Sequence, residues 1–276
     1  MHDYRVVAHN TATASANRIH DDTVARQYGF SGGLVPGVDV YAYMTRPPAE
    51  AWGLDWLRRG SLRARFLAPV YDGDEVIVVV EEHEPASSEG RSVALEVRNG
   101  AGELCATGEA RLQSRPDDSS TNVIWPAAPA DSATSPADQP PASPTALAAG
   151  TALTLVPHGF HADRAGEYLA DVGDGLALYP DAGVAHPGWL LRDANYLLSS
   201  NVVLGPWIHV ESAIQHHSLV TDGDMVDARG VVTKEWEHKG HRFVELDLGI
   251  FADVDRLVAR VRHTAIYQPR AARPGA

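Results

Sequence analysis

Residues 17 to 22 read Asn-Arg-Ile-His-Asp-Asp and stand directly before a short helical pattern. An imidazole with an ordinary pKa of about 6.5 can give and take a proton near neutral pH, so His20 is a candidate for proton transfer. Asn17 could hold the loop or touch a ligand. The two acids have a plainer use: Asp21 or Asp22 can cap the helix over 23–30, which Gly29 closes. Three further histidines, His209, His216 and His217, raise a metal reading. Adjacent strand residues point to opposite faces, and no acidic or cysteine partner stands at a ligand spacing, so these are expected to be solvated strand histidines and no metal is expected. His186-Pro187 reads as a turn before a second helix that could line a tunnel. The single cysteine, Cys105, cannot form an internal disulfide and is expected in the core.

The elements that must position these groups fall into two similar halves. The chain has 276 residues, 44% apolar, enough to bury a real core, and a formal net charge of −13. That charge and the lack of any basic run argue against nucleic acid and anionic membranes as partners. No run is long and apolar enough to span a membrane, and the start lacks signal-peptide features, so a cytoplasmic location is expected. Residues 115–150, rich in Pro, Ala and Ser, read as a partly extended linker in which Trp125 docks on a surface.

The flanks match at an offset of about 150 residues. The segment 35–44 corresponds to 186–195, 68–80 to 218–230, and 102–113 to 255–268. Each half has a Pro-Gly before an apolar helical pattern and an Asp-Gly-Asp turn after it, 36 residues later in the first half (Gly37 to Gly73) and 35 in the second (Gly188 to Gly223). In the first half the helix is expected to end at Pro47-Pro48. Four alternating runs follow in each half, for example Leu62, Ala64 and Phe66 against Arg63 and Arg65, and they predict an antiparallel meander. A helix that apolar must lie against its own sheet.

A duplicated helix wrapped by a sheet resembles the double hotdog fold, an α+β architecture. The local residues resemble the signature of the MaoC-like, or hydratase-2 (R-specific enoyl-CoA hydratase), family: Gly-Asp-x-Asn-Pro-[Ile/Leu/Val]-His, then Asp, Ala, Gly-Phe and a Gly that opens the long helix. The first half supplies Asn17, Ile19, His20, Asp22, Ala25, Gly29-Phe30 and Gly37, but has Ala14-Ser15 for Gly-Asp and Arg18 for Pro. The second half keeps Gly173-Asp174 but has Tyr179 at the histidine position and Leu176 at the asparagine position. The resemblance implies an N-terminal repeat over 1–114, the linker 115–150 and a C-terminal repeat over 151–276.

It further implies a cofactor-free hydratase or dehydratase that adds or removes water at the α,β-position of an acyl thioester of coenzyme A or acyl-carrier protein. His20 would move the proton and the Gly37 N–H would stabilise the oxyanion. Ser15, Asn17, Gly37 and Asp22 would contact substrate. Because Ser15 cannot serve as a base, Asp174 could assist His20 only if its loop crosses to the first copy's site, and Tyr179 is the remaining catalytic candidate. Two alternatives stay open: a catalytically degenerate hotdog that binds an acyl or polyketide-like ligand, and a thioesterase on the same fold. Duplication makes a monomer viable, and a homodimer is compatible with it.

Overall fold

The computed structural model describes residues 1–82, 90–114, 123–128 and 138–271. The N-terminal half runs β1 (Tyr4–Val7), a single 3-10 turn (Arg18–His20), α1 (Asp22–Gln27), α2 (Gly37–Arg59), β2 (Gly60–Phe66), β3 (Glu75–Glu82), β4 (Gly90–Asn99) and β5 (Leu104–Gln113). The C-terminal half runs β6 (Ala152–Gly159), α3 (Ala165–Asp171), α4 (Leu178–Ala182), α5 (Pro187–Ser199), β7 (Ile208–His216), β8 (Met225–His238), β9 (His241–Ala252) and β10 (Arg256–Gln268).

All ten strands form one antiparallel sheet in the order β1-β3-β4-β5-β2-β7-β10-β9-β8-β6. The order is the same read from either end, strand for strand, with β2 and β7 joined at the centre through registers such as Leu62↔Ile214 and Ala64↔Ser212. The eight runs read from alternation are all strands. They are not a simple meander, because the strand after each helix pairs with the last strand of its half and only the following three run in sequence. The edge strands β1 and β6 are additions to the sequence reading. Both Asp-Gly-Asp turns form with Gly73 and Gly223 at φ of 80° and 87°, where glycine carries no Cβ penalty. The turns are tied alike: Ala8 N–H donates to the Asp74 carbonyl and Phe160 N–H to the Asp224 carbonyl.

The two long helices pack on each other and on the inner face of the sheet. From Val38 to Thr45 every residue of α2 is buried, and on α5 Leu191, Ala194, Leu197 and Leu198 are fully enclosed. Burying such a leucine stabilises the fold by about 2 kcal/mol. That enclosure explains why α2 does not stop at Pro47-Pro48. The helix runs on through both buried prolines and breaks at Gly53 instead, where φ is 59° and ψ is −146°. Cys105 is buried. Of the predicted linker, 115–122 and 129–137 lie outside the described residues. The described parts are docked: Trp125 packs edge-on against Phe251 at 6.0 Å, Pro141 bridges to Val203 and Leu147 is fully buried. No helix among the described residues is long and apolar enough to cross a membrane.

Candidate active site

The Asn-Arg-Ile-His-Asp-Asp segment folds over the start of α2. Asp21 is the cap of α1, accepting from the N–H groups of Thr23 and Val24 at 3.0 Å each. Asp22 does not reach the cavity, contrary to expectation: its Oδ1 accepts from Gly33 N–H at 2.8 Å and its Oδ2 faces Arg26. Ile19, Ala25 and Leu34 form a small core that anchors the segment. Gly33 lets the two chains meet, since a Cβ there would lie 2.1 Å from the His20 carbonyl.

The hydrogen bonds settle the state of His20. Its Nδ1 lies 2.7 Å from the Leu34 carbonyl, which can only accept, so Nδ1 carries the proton. Its Nε2 lies 3.2 Å from Asn17 Nδ2. The Asn17 amide has one orientation, because its Oδ1 accepts from Trp207 N–H and Ile19 N–H while Nδ2 donates to the Trp207 carbonyl. Asn17 therefore presents N–H to Nε2, and that nitrogen keeps its lone pair. Burial pushes the His20 pKa down, against smaller opposing effects of the Leu34 carbonyl and Asp39. The ring is a neutral imidazole with its basic nitrogen held by a long, replaceable bond.

His20 stands where two spaces meet. An inner cavity of about 260 Å³ is walled mainly by apolar groups such as Phe30, Leu34, Val40, Phe66 and Trp207, with Gly37 and His209 in its lining. An outer cleft of about 720 Å³ is lined by Thr11, Ser15, Arg192, Asn195 and Tyr196 among others. Asn17, His20, Pro36, Asn195 and Trp207 border both. Pro36 precedes α2 and no side chain caps the helix, so the Gly37 N–H at the positive end of the helix dipole is left to a ligand. Ser15 lies in the outer cleft, where its Oγ accepts from Asn17 N–H at 3.1 Å. It does not bond His20.

The C-terminal half contributes more to this site than the sequence indicated. Asn195 comes from α5, and its buried Oδ1 has no hydrogen-bond partner. Arg192, also from α5, pairs at 2.9 Å with the fully buried Asp39, which Thr11 also holds at 2.6 Å. His209 and His216 are buried, not solvated. Burial carries the His216 pKa down to about 3, with His217 and His186 adding to it.

Asp174 and Tyr179 do not approach His20. Asp174 Oδ2 bonds His186 Nε2 at 3.2 Å and its Oδ1 pairs with Arg46 at 3.0 Å, so the carboxylate crosses between halves but to a different partner. Burial works against the Asp174 charge, yet His186, the Leu176 N–H and Arg46 together hold its pKa below the usual range. His186 accepts from Gly188 N–H through Nδ1 at 2.9 Å, which caps α5 and commits Nε2–H to Asp174 and Thr45. The buried Tyr179 ring packs on His186 at 4.6 Å, and both line a cavity of about 170 Å³. The sequence reads His186 as a turn residue that could line a tunnel; it does line this cavity, and it is also the cap of α5.

No family model matches the sequence, and no curated protein matches it. Solved structures do match over nearly its whole length. A MaoC-like dehydratase superposes with a TM-score of 0.64 at 14% identity, covering 97% of this chain and 98% of that one. A conserved hypothetical protein from Mycobacterium tuberculosis, described as a double hotdog, gives 0.61 at 16% identity with 96% of each chain covered. A protein described as a thioesterase from Novosphingobium aromaticivorans gives 0.56 at 12% identity, covering 97% and 96%.

Proposed function

With the chain established as a double hotdog, we propose that its N-terminal copy binds an acyl thioester, carried on coenzyme A or acyl-carrier protein, and catalyses hydration or dehydration at the α,β-bond. The observation that carries this reading is the neutral His20 ring in the cavity lining, its Nε2 lone pair accepting from the Asn17 amide beside it. The apolar inner cavity takes the acyl chain, and the outer cleft takes the carrier arm. Water displacing the Asn17 amide at Nε2 would lose a proton to His20 as it adds to the β-carbon, and the imidazolium would then give that proton to the α-carbon as the enolate collapses. The Gly37 N–H receives the negative charge that grows on the thioester oxygen.

A second reading, binding of an acyl ligand without turnover, is favoured by one feature: Ser15 occupies the position where the resembling family carries aspartate, and no carboxylate bonds His20. Enoyl and 3-hydroxyacyl thioesters of graded length separate the two. Under the first reading the protein turns one of them over, and His20→Ala lowers kcat/KM by about 100-fold or more. Binding without turnover, together with activity gained in Ser15→Asp, establishes the second. Cleavage of saturated thioesters would instead identify a thioesterase.

A further inference from the structure

A second group faces the start of α2, and an irregularity in the sheet puts it there. His209 and Ser212 are three residues apart on β7, and in a regular strand they would lie on opposite faces. The pairing of β7 with β10 shifts register at this place: Glu211 opposes Thr264 while His209 opposes Ala265, leaving Val210 as the extra residue of a bulge. Both side chains consequently point inward and are buried. His263, directly opposite Ser212 in register, is fully buried beside them.

The three form a chain. His209 Nε2 lies 2.8 Å from Ser212 Oγ, and Ser212 Oγ lies 2.9 Å from His263 Nδ1. The imidazoles are 4.4 Å apart, and Phe66 closes on His209 edge-first. At the near end His209 Nδ1 makes no hydrogen bond of good geometry, with the Glu211 backbone carbonyl close to the ring, and at the far end His263 Nε2 makes none either. A Cβ on Gly37 would lie 2.7 Å from that Nδ1, so the nitrogen stands over the first residue of α2. Leaving such a group unpaired in a buried place is unfavourable, and a ligand that accepts from it removes that cost.

A serine hydroxyl donates once and accepts twice, which leaves the chain three neutral states. In one, Ser212 donates to His209, His263 donates to Ser212, and the remaining N–H is on His209 Nδ1. In the second every bond is reversed and the remaining N–H is on His263 Nε2. In the third both imidazoles donate to Ser212 and its O–H is left over. Within the protein alone each state leaves one N–H or O–H without an acceptor. A carbonyl oxygen at Gly37 removes that cost only in the first. Neither ring can charge easily, since burial holds both pKa values far down, with His263 at about 3.

We infer that His209, as a neutral Nδ1–H donor, shares the ligand's carbonyl oxygen with the Gly37 N–H, and that Ser212 and His263 are positioning residues that fix this tautomer. No proton is transferred; the bond strengthens as charge develops on the oxygen. This inference rests on the acyl thioester reading.

The test uses histidine 15N NMR on the full chain, with the His209 signals assigned through His209→Gln. Two acyl-pantetheine probes are compared. One has a methylene in place of the thioester sulfur and keeps the carbonyl; the other is a thioether without it. The carbonyl probe is expected to yield a protonated Nδ1 with a shifted resonance, and the thioether to bind without that shift. In turnover, Ser212→Ala is expected to lower kcat about tenfold with KM within twofold, and Ser212→Thr to restore it. Binding of both probes with an unprotonated or unmoved Nδ1 overturns the inference and leaves the thioester reading intact. Binding of neither probe overturns both.

Discussion

The two halves share strand order, turns and helix placement, yet the mouths of their long helices are opposites. At the start of α2 the cap position is proline, the Gly37 N–H is uncapped, and His20 keeps a lone pair beside the cavity. At the start of α5 the histidine is itself the cap: Gly188 N–H is taken by His186 Nδ1, and Nε2 is taken by Asp174 and Thr45. Asp174 in turn is bound to Arg46 of the other half. At the first mouth the helix N–H is left to the cavity, whereas at the second His186 and Asp174 hold the helix end and tie the two halves together, with the Tyr168 hydroxyl buried over Gly188 without a partner. Matching helix starts can thus be used differently, with the groups of one half facing a cavity and those of the other bonded across the pair.

Breaking the C-terminal mouth should cost stability and leave ligand binding alone. Asp174→Ala strips the acceptor from His186 and Arg46 in a buried place, and chemical denaturation is expected to show a loss of about 3 kcal/mol. His186→Ala removes the cap of α5 and one partner of Asp174, with an expected loss of about 2 kcal/mol. In both variants the affinity for an acyl-pantetheine probe should stay within threefold of wild type. A tenfold loss of affinity in either would mean that the C-terminal mouth is part of the site.

How much of this contrast the sequence could tell depends on the period of each signal. Strands such as β2, β4 and β7 were readable because burial alternates along much of their length, and the Asp-Gly-Asp turns marked the same place in each half. The path of α2 was not readable, because tertiary burial overrides the preference of two adjacent prolines. The bulge at Val210 was hidden too, since it breaks the alternation on which the reading relied, and so His209 and Ser212 passed as ordinary strand residues. That His20, Asn17 and Gly37 come together in one cavity lining was legible through the motif they resemble. Asn195 and Arg192 were not, because they reach the N-terminal site from the other half, and no local pattern records a contact across about 150 residues. Asp174 was legible as a carboxylate that crosses between halves, but not as the partner of His186.

A smaller effect sharpens the comparison through pH. His216 lies on β7 against Trp56 with its folded pKa at about 3, below the unfolded value near 6.5. Between those values the unfolded chain binds one more proton than the folded one, so this residue's contribution to stability is complete above pH 6.5 and is lost as pH falls toward 3. The slope is about 1.4 kcal/mol per pH unit for one histidine. Denaturation midpoints of His216→Leu measured from pH 7 to pH 4.5 should show a flatter decline than wild type by that amount. Equal slopes would place a proton on His216 in the folded state.

The central claim, that the ligand enters the N-terminal mouth and not the smaller C-terminal one, is tested most directly by calorimetric titration with the methylene-bridged acyl-pantetheine probe. Two plugs are compared with the wild type: Leu34→Trp in the N-terminal cavity and Val184→Trp in the C-terminal one. One site per chain, abolished by the first plug and kept by the second, is the predicted result. Two equivalent sites, or a single site that survives Leu34→Trp and disappears in Val184→Trp, would contradict it.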